Sequence, residues 1–236
     1  MPVFQLDKTI AFPPPHMARQ DGLLAIGGDL SPERLLLAYS LGIFPWYGPE
    51  QPILWWAPVP RLILEPAELK VSRRLARTIR KQPYEITFDN SFREVITQCA
   101  GMRYDAEGTW ITREMIESYC RLHEMGYAHS VECRRHGELA GGLYGIALGK
   151  VFFGESMFSK NSDSSKIALV YLADRLQTWG FDFIDCQIPS DHLKRLGARE
   201  ISGEVFFARL QHNVLLPGYN GAWQAHQALP ALAMAK

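Results

Sequence analysis

The stretch 139–187 constrains the fold more than any other part of the chain. Its two apolar runs are joined by the turn residues Gly149 and Lys150, a pattern that predicts a β-hairpin. Apolar residues then recur at helical spacing over 166–179, and Gly180 suits the end of that helix. A third apolar run follows and ends at Gln187. The order hairpin, helix, strand predicts a mixed, largely antiparallel sheet with helices, and therefore an α+β fold.

Three polar residues end the apolar strands of this stretch, namely Glu155, Asp185 and Gln187. Burying such groups without partners is costly, so each needs a partner or a function. Asp185 and Gln187 lie two apart on a strand, which predicts that both project to one face, with Cys186 in the core on the other. Carboxylates and an amide beside an apolar groove suit acyl transfer to an amine, which needs a neutral amine and oxyanion donors but no metal.

Length and composition exclude several classes of protein. A chain of 236 residues fits one or two domains. No apolar run approaches the ~20 residues that a membrane span needs, and the N-terminus lacks the features of a secretory signal. No two of the four cysteines form a Cys-x-x-Cys pair. Their spacing argues against a zinc site and favours a location in the reducing cytoplasm. The net charge of zero argues against general polyanion binding but permits a local basic patch.

Near Arg61 the sequence changes from a stretch rich in turns and aromatic residues to alternating strand and helix patterns, which predicts two domains. Residues 1–62, rich in prolines and aromatic residues, form a small N-terminal α+β domain in this interpretation, and 63–236 form the second. The Ala-rich tail, 225–236, is expected to be disordered. The tryptophans of the first domain are either a small core that holds loops or a stacking surface for a ligand such as a nucleobase. Trp110, at the entry of a helix, either faces a ligand or packs onto that helix.

A short helix over 72–81 carries basic residues on one face, opposite an apolar face with Leu75 and Ile79. The basic residues are Arg73, Arg77, Arg80 and Lys81. Such a stripe is either an ordinary solvated face or a patch that follows nucleic-acid phosphates. No Walker motif, dinucleotide-binding glycine motif or Ser-His-Asp set is recognisable.

Several long motifs, in a fixed order, resemble the leucyl/phenylalanyl-tRNA–protein transferase family over nearly all of residues 3–220. They are residues 22–34 (GLLAIGGDLSPER), 42–46 (GIFPW), 108–112 (GTWIT), 154–159 (GESMFS) and 184–187 (IDCQ). The resemblance implies a second domain with a GNAT-like acyltransferase fold beside the smaller N-terminal domain. It implies transfer of Leu or Phe, and Met less well, from aminoacyl-tRNA to the α-amino group of proteins that begin with Arg or Lys. The products would enter the bacterial N-end-rule degradation pathway.

The resemblance also implies the partners and cofactors. Leu-tRNA and Phe-tRNA would be the donors and a cytoplasmic monomer the enzyme. The tRNA ester is already an activated acyl donor, so no ATP, coenzyme A or metal would be required. An α-amino group has a pKa of roughly 7.7–8.0, so part of it is neutral at physiological pH.

Carried over by position, Asp185 and Gln187 match the catalytic pair of the family. Gln187 would hold the attacking amine through its side-chain oxygen, while Asp185 would orient the site and stabilise the developing ammonium. Glu155 would pair with the cationic first side chain of the acceptor protein. The remaining matches are a Leu/Phe pocket of Leu143, Phe152, Met157, Phe158, Leu172 and Leu176 with Ser156 beside it, an adenosine-stacking set of Trp46, Trp110 and Tyr119, and phosphate contacts from Arg73, Arg77, Arg80 and Lys81.

Some alternatives stay open. The apolar pocket set is equally typical of plain core, and Leu143, Leu172 and Leu176 replace residues of other members, so the sequence does not fix the preference between Leu and Phe. An acetyl-CoA-dependent GNAT enzyme is one rival function, although 159–165 lacks the glycines of a pyrophosphate loop. A non-catalytic tRNA-binding or peptide-recognition module is another rival, which leaves Asp185 and Gln187 without a role.

Overall fold

The computed structural model describes residues 3–104, 110–219 and 221–223, with the backbone alone for 102–104. The tail that we expect to be disordered, 225–236, lies outside the described residues, as do Gly108 and Thr109. Within the described part, none of the helices is both long enough and apolar enough to cross a membrane.

Two sheets organise the chain. The N-terminal sheet has the strand order β1-β2-β4-β3, and its strands are β1 (Phe4–Leu6), β2 (Leu23–Gly27), β3 (Phe44–Pro45) and β4 (Leu54–Trp56). The larger sheet has seven strands in the order β11-β5-β10-β9-β8-β7-β6. Its strands are β5 (Arg61–Leu64), β6 (Glu85–Phe88), β7 (Ala128–Arg135), β8 (Glu138–Leu148), β9 (Val151–Ser159), β10 (Phe183–Gln187) and β11 (Arg199–Ile201).

Seven helices are described around these sheets. They are α1 (Pro32–Ser40), α2 (Arg73–Arg80), α3 (Phe92–Tyr104), α4 (Arg113–Glu124), α5 (Ser164–Thr178), α6 (Asp191–Arg195) and α7 (Gly203–Asn213). The serine or threonine before α2, α4, α6 and α7 accepts a backbone N–H of the first turn. Ser31 precedes α1 in the same position, but its side chain makes no capping hydrogen bond.

The predicted order hairpin, helix, strand is confirmed. β8 and β9 pair antiparallel on either side of Gly149 and Lys150, and β10 returns after α5 to pair parallel with β9. The sheet is therefore mixed and largely antiparallel, and the α+β class is confirmed. At the far edge of the sheet, residues 199–201 form the short strand β11, which pairs antiparallel with β5.

The predicted domain boundary after residue 62 falls inside β5, a strand that belongs wholly to the larger sheet. The N-terminal sheet is not isolated from it. Trp55 and Tyr39 belong to the same buried cluster as Phe153 and Phe206 of the larger sheet and α7. The N-terminal residues are therefore packed against the part of the chain that carries the predicted chemistry.

Trp223 fastens the end of the described chain to the larger sheet. Its backbone N–H donates to Asp89 Oδ2 at 2.6 Å, and its ring stacks on His129 with centroids 3.8 Å apart. The same ring contacts Trp179 and Phe152, at centroid distances of 5.1 Å and 5.9 Å. Trp223 thus joins the same buried cluster as the apolar residues of α5.

Candidate active site

The candidate site is a cavity between two strands that separate. β10 pairs with β9 from Phe183 to Asp185. Beyond that point β9 contains a register shift between Gly154 and Ser156, which leaves Glu155 as the extra residue, and Gln187 adopts a left-handed backbone with φ of 65°. A β-bulge bends a strand and redirects its side chains. A cavity of about 430 Å³ opens in the resulting gap.

Most of the predicted site residues line this cavity. They are Trp46, Trp110, Leu143, Phe152, Glu155, Ser156, Met157, Leu172 and Gln187. The cavity therefore combines an apolar wall from β8, β9 and α5 with a polar corner where β9 and β10 separate. The sequence also predicts a basic face on α2, and its residues Arg73, Arg77, Arg80 and Lys81 are exposed.

Four predicted site residues lie behind the cavity wall instead. Tyr119 is fully buried on the core face of α4, so the expectation that its ring stacks on a ligand is wrong. Phe158 belongs to the buried cluster on the opposite side of β9 from Met157, and Leu176 lies one turn beyond Leu172 in the core. Asp185 is fully buried and does not border the cavity.

A second register shift, in β10 itself, explains why the face prediction for β10 is wrong. Alternation predicts that Asp185 and Gln187 share one face, with Cys186 on the other. In the structure the register of β10 shifts between Asp185 and Gln187, so Cys186 and Gln187 both line the cavity. Burial and the nearby Asp185 raise the pKa of the Cys186 thiol, which disfavours a thiolate nucleophile at this position.

A chain of hydrogen bonds runs through the polar corner. Gln187 Nε2 donates to Glu155 Oε1 at 2.7 Å, and the Tyr119 hydroxyl donates to Glu155 Oε2 at 3.1 Å. The hydroxyls of Tyr119 and Tyr39 are hydrogen-bonded to each other. Burial, with a smaller contribution from Asp185, raises the pKa of Glu155 to about 7 in spite of these donors. Glu155 is therefore partly protonated at neutral pH.

Asp185 lies behind the polar corner, where it forms a buried ion pair that was not predicted from the sequence. Arg61 Nε and Nη2 donate to the two carboxylate oxygens of Asp185 at 2.9 Å and 2.8 Å. Asp185 Oδ1 also accepts the backbone N–H of Gln187 at 2.9 Å, which fixes the left-handed residue. The only sequence signal for Arg61 is a charged residue at the start of an apolar strand.

Arg61 also connects the polar corner to the N-terminal motif at 42–46. Its Nη2 donates to the carbonyl oxygen of Gly42 at 2.9 Å, and its guanidinium lies over the ring of Phe44, 5.0 Å from the centroid. Phe44 and Trp46 both line the cavity, and the Trp46 carbonyl accepts the indole N–H of Trp56 at 2.6 Å. The motif thus forms one wall of the site, with Trp46 half-exposed at its rim.

Ser156 is a further polar residue of the cavity, which Ser190 and His192 also line. Ser156 is 9% exposed, and among the described residues its Oγ has no hydrogen-bond partner. A buried hydroxyl without a partner is costly and is a typical donor for a bound ligand. Within the described part of the chain, no group of three or more His, Cys, Asp or Glu side chains is arranged to hold a metal ion.

Comparisons of the sequence with known proteins give one family. A model of the leucyl/phenylalanyl-tRNA protein transferase family matches residues 63–211, and a model of the N-terminal domain of that family matches residues 28–59. Two curated relatives are named leucyl/phenylalanyl-tRNA–protein transferase. The relative from Syntrophobacter fumaroxidans is 54% identical over 95% of this chain and 96% of its own, and the one from Nitrosomonas europaea is 56% identical over 90% and 91%.

The solved structures that match this chain are less similar to it. A GCN5-related N-acetyltransferase from Kribbella flavida has a TM-score of 0.38 and 16% identity, over 72% of this chain and 61% of that chain. A conserved protein of unknown function from Bacteroides thetaiotaomicron has a TM-score of 0.41 and 14% identity, over 67% and 57%. These likenesses are too remote to bear on the chemistry of the site.

Proposed function

Because this chain belongs to the leucyl/phenylalanyl-tRNA protein transferase family, it is an aminoacyltransferase, and we propose that it modifies proteins whose first residue is Arg or Lys. Leu or Phe, and Met less well, would pass from aminoacyl-tRNA to the α-amino group of that residue. The products would be substrates of N-end-rule degradation. The observation that carries this proposal is an apolar cavity that ends at the hydrogen-bonded pair of Gln187 and Glu155.

The apolar wall suits the side chain of the donor amino acid. Leu143, Phe152, Met157 and Leu172 line one part of the cavity, and burying a Leu or Phe side chain there would contribute about 1.5–3 kcal/mol. The flexible Met157 can adapt to both shapes. Trp46 and Trp110 border the same cavity, in positions suited to stacking on the terminal adenosine.

The polar corner suits the acceptor amine. The amide nitrogen of Gln187 is engaged by Glu155, so its amide oxygen is left to accept an N–H of the incoming amine. Glu155 would receive the cationic side chain of the first residue, Arg or Lys. Asp185 would act as a positioning residue, because it holds the backbone of Gln187 and pairs with Arg61 instead of contacting the cavity.

The reaction balances without a cofactor. The lone pair of the neutral amine attacks the carbonyl carbon of the ester, the bond to the ribose oxygen breaks, and an amine proton ends on that oxygen. The Ser156 hydroxyl, buried in the cavity wall, would donate to the oxyanion that forms on the carbonyl oxygen. Because the ester is already activated, the proposed reaction requires no metal, ATP or coenzyme A. The enzyme that we propose is a cytoplasmic monomer.

A transfer assay tests the proposed function. Purified protein would receive labelled Phe-tRNA and an acceptor protein in two forms that differ only in whether the first residue is Arg or Ala. We expect label on the Arg form alone. Acetyl-CoA with the same acceptors is the matched donor control, and acetylation without aminoacyl transfer would replace the proposal with the acetyltransferase alternative. Binding of both substrates without any transfer would favour a non-catalytic module.

The pKa of Glu155 gives a pH prediction. A cationic side chain binds the ionised carboxylate, and the Glu155 pKa of about 7 means that the ionised fraction rises about tenfold between pH 6 and pH 8. The affinity for an Arg-starting peptide should rise by a similar factor over this range. The Glu155→Gln variant should bind weakly and lose this part of the pH dependence, as competition assays at each pH would measure. An unchanged pH profile in the variant would exclude Glu155 from cation recognition.

The same carboxyl group makes stability depend on pH. Its pKa in the folded protein lies above the ordinary value of 4.5, so the folded state holds the proton more tightly than the unfolded chain. The resulting stabilisation is complete at acidic pH and is lost as the pH rises through about 7. The Glu155→Gln variant should therefore show less loss of stability between pH 5 and pH 8 than the parent protein.

The exposed basic face of α2 gives a salt-dependence prediction. Joint replacement of Arg73, Arg77 and Arg80 by Gln should weaken tRNA binding and make log Kd less steep against log salt concentration, by about 1 for each lost phosphate contact. All three side chains are exposed, so the fold should tolerate the change. Filter-binding titrations at several salt concentrations would measure the slope, and an unchanged slope would remove this face from tRNA binding.

A further inference from the structure

A second depression adjoins the reactive cavity and shares His192 with it. Three parts of the chain contribute to it: the first turn of α2 with the segment before it, the start of α5, and α6 with the residue after it. Its volume is about 360 Å³, and its charged or titratable lining residues are Lys70, Arg74, Asp163, Lys166, His192 and Arg195. We call it the basic depression. None of these residues belongs to the site predicted from the sequence.

The positive charges of the basic depression are only partly neutralised. Asp163 is its single carboxylate, and it contacts Lys166 at 2.8 Å and Arg74 at 4.0 Å. The Arg74 side chain is 84% exposed. Within the described residues, Lys70 and Arg195 have no carboxylate partner at ion-pair distance. Four permanent cations thus face one anion, which leaves a local excess of positive charge on a protein whose net charge is zero.

His192 lies at the border between the basic depression and the reactive cavity, and the positive charges of the depression affect its pKa. Burial lowers the pKa of His192, and the charges of Lys166 and Arg195 lower it further. A neutral imidazole between the two depressions adds no charge of its own, and it can donate or accept a hydrogen bond. The arrangement therefore favours an anion over a cation on the side of Arg74 and Arg195.

We propose that the basic depression binds backbone phosphates of the single-stranded 3′ end of the donor tRNA. The inference rests on the proposed function, which fills the adjoining cavity with the terminal aminoacyl-adenosine. The RNA strand that carries this adenosine must leave the cavity over a neighbouring surface, and a guanidinium presents a planar set of donors that matches a phosphate group. From there the strand would reach α2, whose exposed face carries Arg73, Arg77 and Arg80.

Two donors that differ only in phosphates test the inference. One is the phenylalanyl ester of adenosine, which has no phosphate, and the other is the phenylalanyl ester of the trinucleotide CCA. In the Arg74→Gln/Arg195→Gln variant, kcat/KM with the trinucleotide should fall about tenfold and its dependence on salt should become shallower by about 1. With the adenosine ester, kcat/KM should stay within about twofold of the parent value.

The matched control is Lys194→Gln/Arg199→Gln. It removes the same charge from the same region, but these side chains are paired with Glu200 and Glu65 at 2.6 Å and 2.8 Å and do not line the basic depression. The control should retain kcat/KM with both donors. Equal losses in the control and the test variant would mean that net charge alone acts, and would overturn the inference.

Other outcomes also decide the matter. Equal effects on both donors, or no effect on the trinucleotide, would overturn the inference while leaving the proposed function intact. Coenzyme A binding that the Arg74→Gln/Arg195→Gln change abolishes, with trinucleotide transfer unaffected, would assign the depression to a small pyrophosphate ligand instead. If the parent protein transfers phenylalanine from neither donor nor from Phe-tRNA, the proposed function fails and the inference fails with it.

Discussion

Replacement of Asp185 by alanine is expected to destabilise the protein by about 3–5 kcal/mol, because it removes one partner of a buried ion pair. Arg61 and Asp185 have side chains that are 1% and 0% exposed. In the variant the guanidinium would stay buried without its counterion, and the backbone N–H of Gln187 would lose its acceptor. Chemical denaturation would measure the change as a lower denaturation midpoint.

Two variants control for this interpretation. Glu117→Ala breaks an Arg–carboxylate pair of similar geometry with Arg93, but there both side chains are about half exposed, so the loss should be at most about 1 kcal/mol. Arg61→Met/Asp185→Leu replaces the buried pair by apolar side chains and should recover much of the stability without recovering activity, because Gln187 stays unsupported. A loss below about 1 kcal/mol in Asp185→Ala would contradict the buried-pair argument.

Replacement of Gln187 by alanine should lower kcat by about 10²–10³ while the fold stays intact. Contributions of this size are typical of a side chain that positions the proton transfer of a reacting group. The Gln187 side chain lines the cavity and reaches Glu155, so its loss removes the acceptor for the amine and releases the carboxylate. Single-turnover transfer from Phe-tRNA to an Arg-starting protein would measure the rate, and thermal unfolding would check the fold.

Gln187→Asn separates the role of the amide from that of the backbone. Asn tolerates the left-handed conformation found at this position and keeps an amide, but its side chain is one methylene too short to reach Glu155. It should be nearly as slow as the alanine variant. Cys186→Ser, a change at the neighbouring cavity residue, should stay within a few-fold of the parent rate. Parent-like turnover in both Gln187 variants would show that the amide has no part in catalysis.

The sequence predicted the parts of the fold that depend on regular periodicity. The hairpin around Gly149, the helix after it and the strand that follows this helix were all predicted from apolar spacing and turn residues, although the parallel pairing of that strand with β9 was not. The predicted sheet face of Asp185 and Gln187 was wrong. A bulge adds one residue to a strand and so reverses the alternation of its side chains, and nothing in the composition of the strand reveals it. The cavity opens where this irregularity and the register shift of β9 at Glu155 separate the two strands, so strict alternation could not predict it.

The candidate site was predicted only in part. The resemblance identified Gln187, Glu155 and the two cavity tryptophans, which all border the cavity. It also assigned Tyr119 to ligand stacking, although Tyr119 follows Met115 by four residues and so shares the apolar face of its helix. Helical spacing was the better guide there. Arg61 was missed because its partner is 124 residues away, and no local pattern reveals a contact of that kind.

Trp223 limits how far the chain can be shortened from its C-terminus. Its ring stacks on His129 and also contacts Phe152, and Phe152 is part of the wall that would hold the transferred amino acid. A stop codon before residue 223 would uncover a buried imidazole and loosen that wall at the same time. Deletions that extend past the tail and include Trp223 would then change substrate choice, through an aromatic contact remote from the reacting atoms.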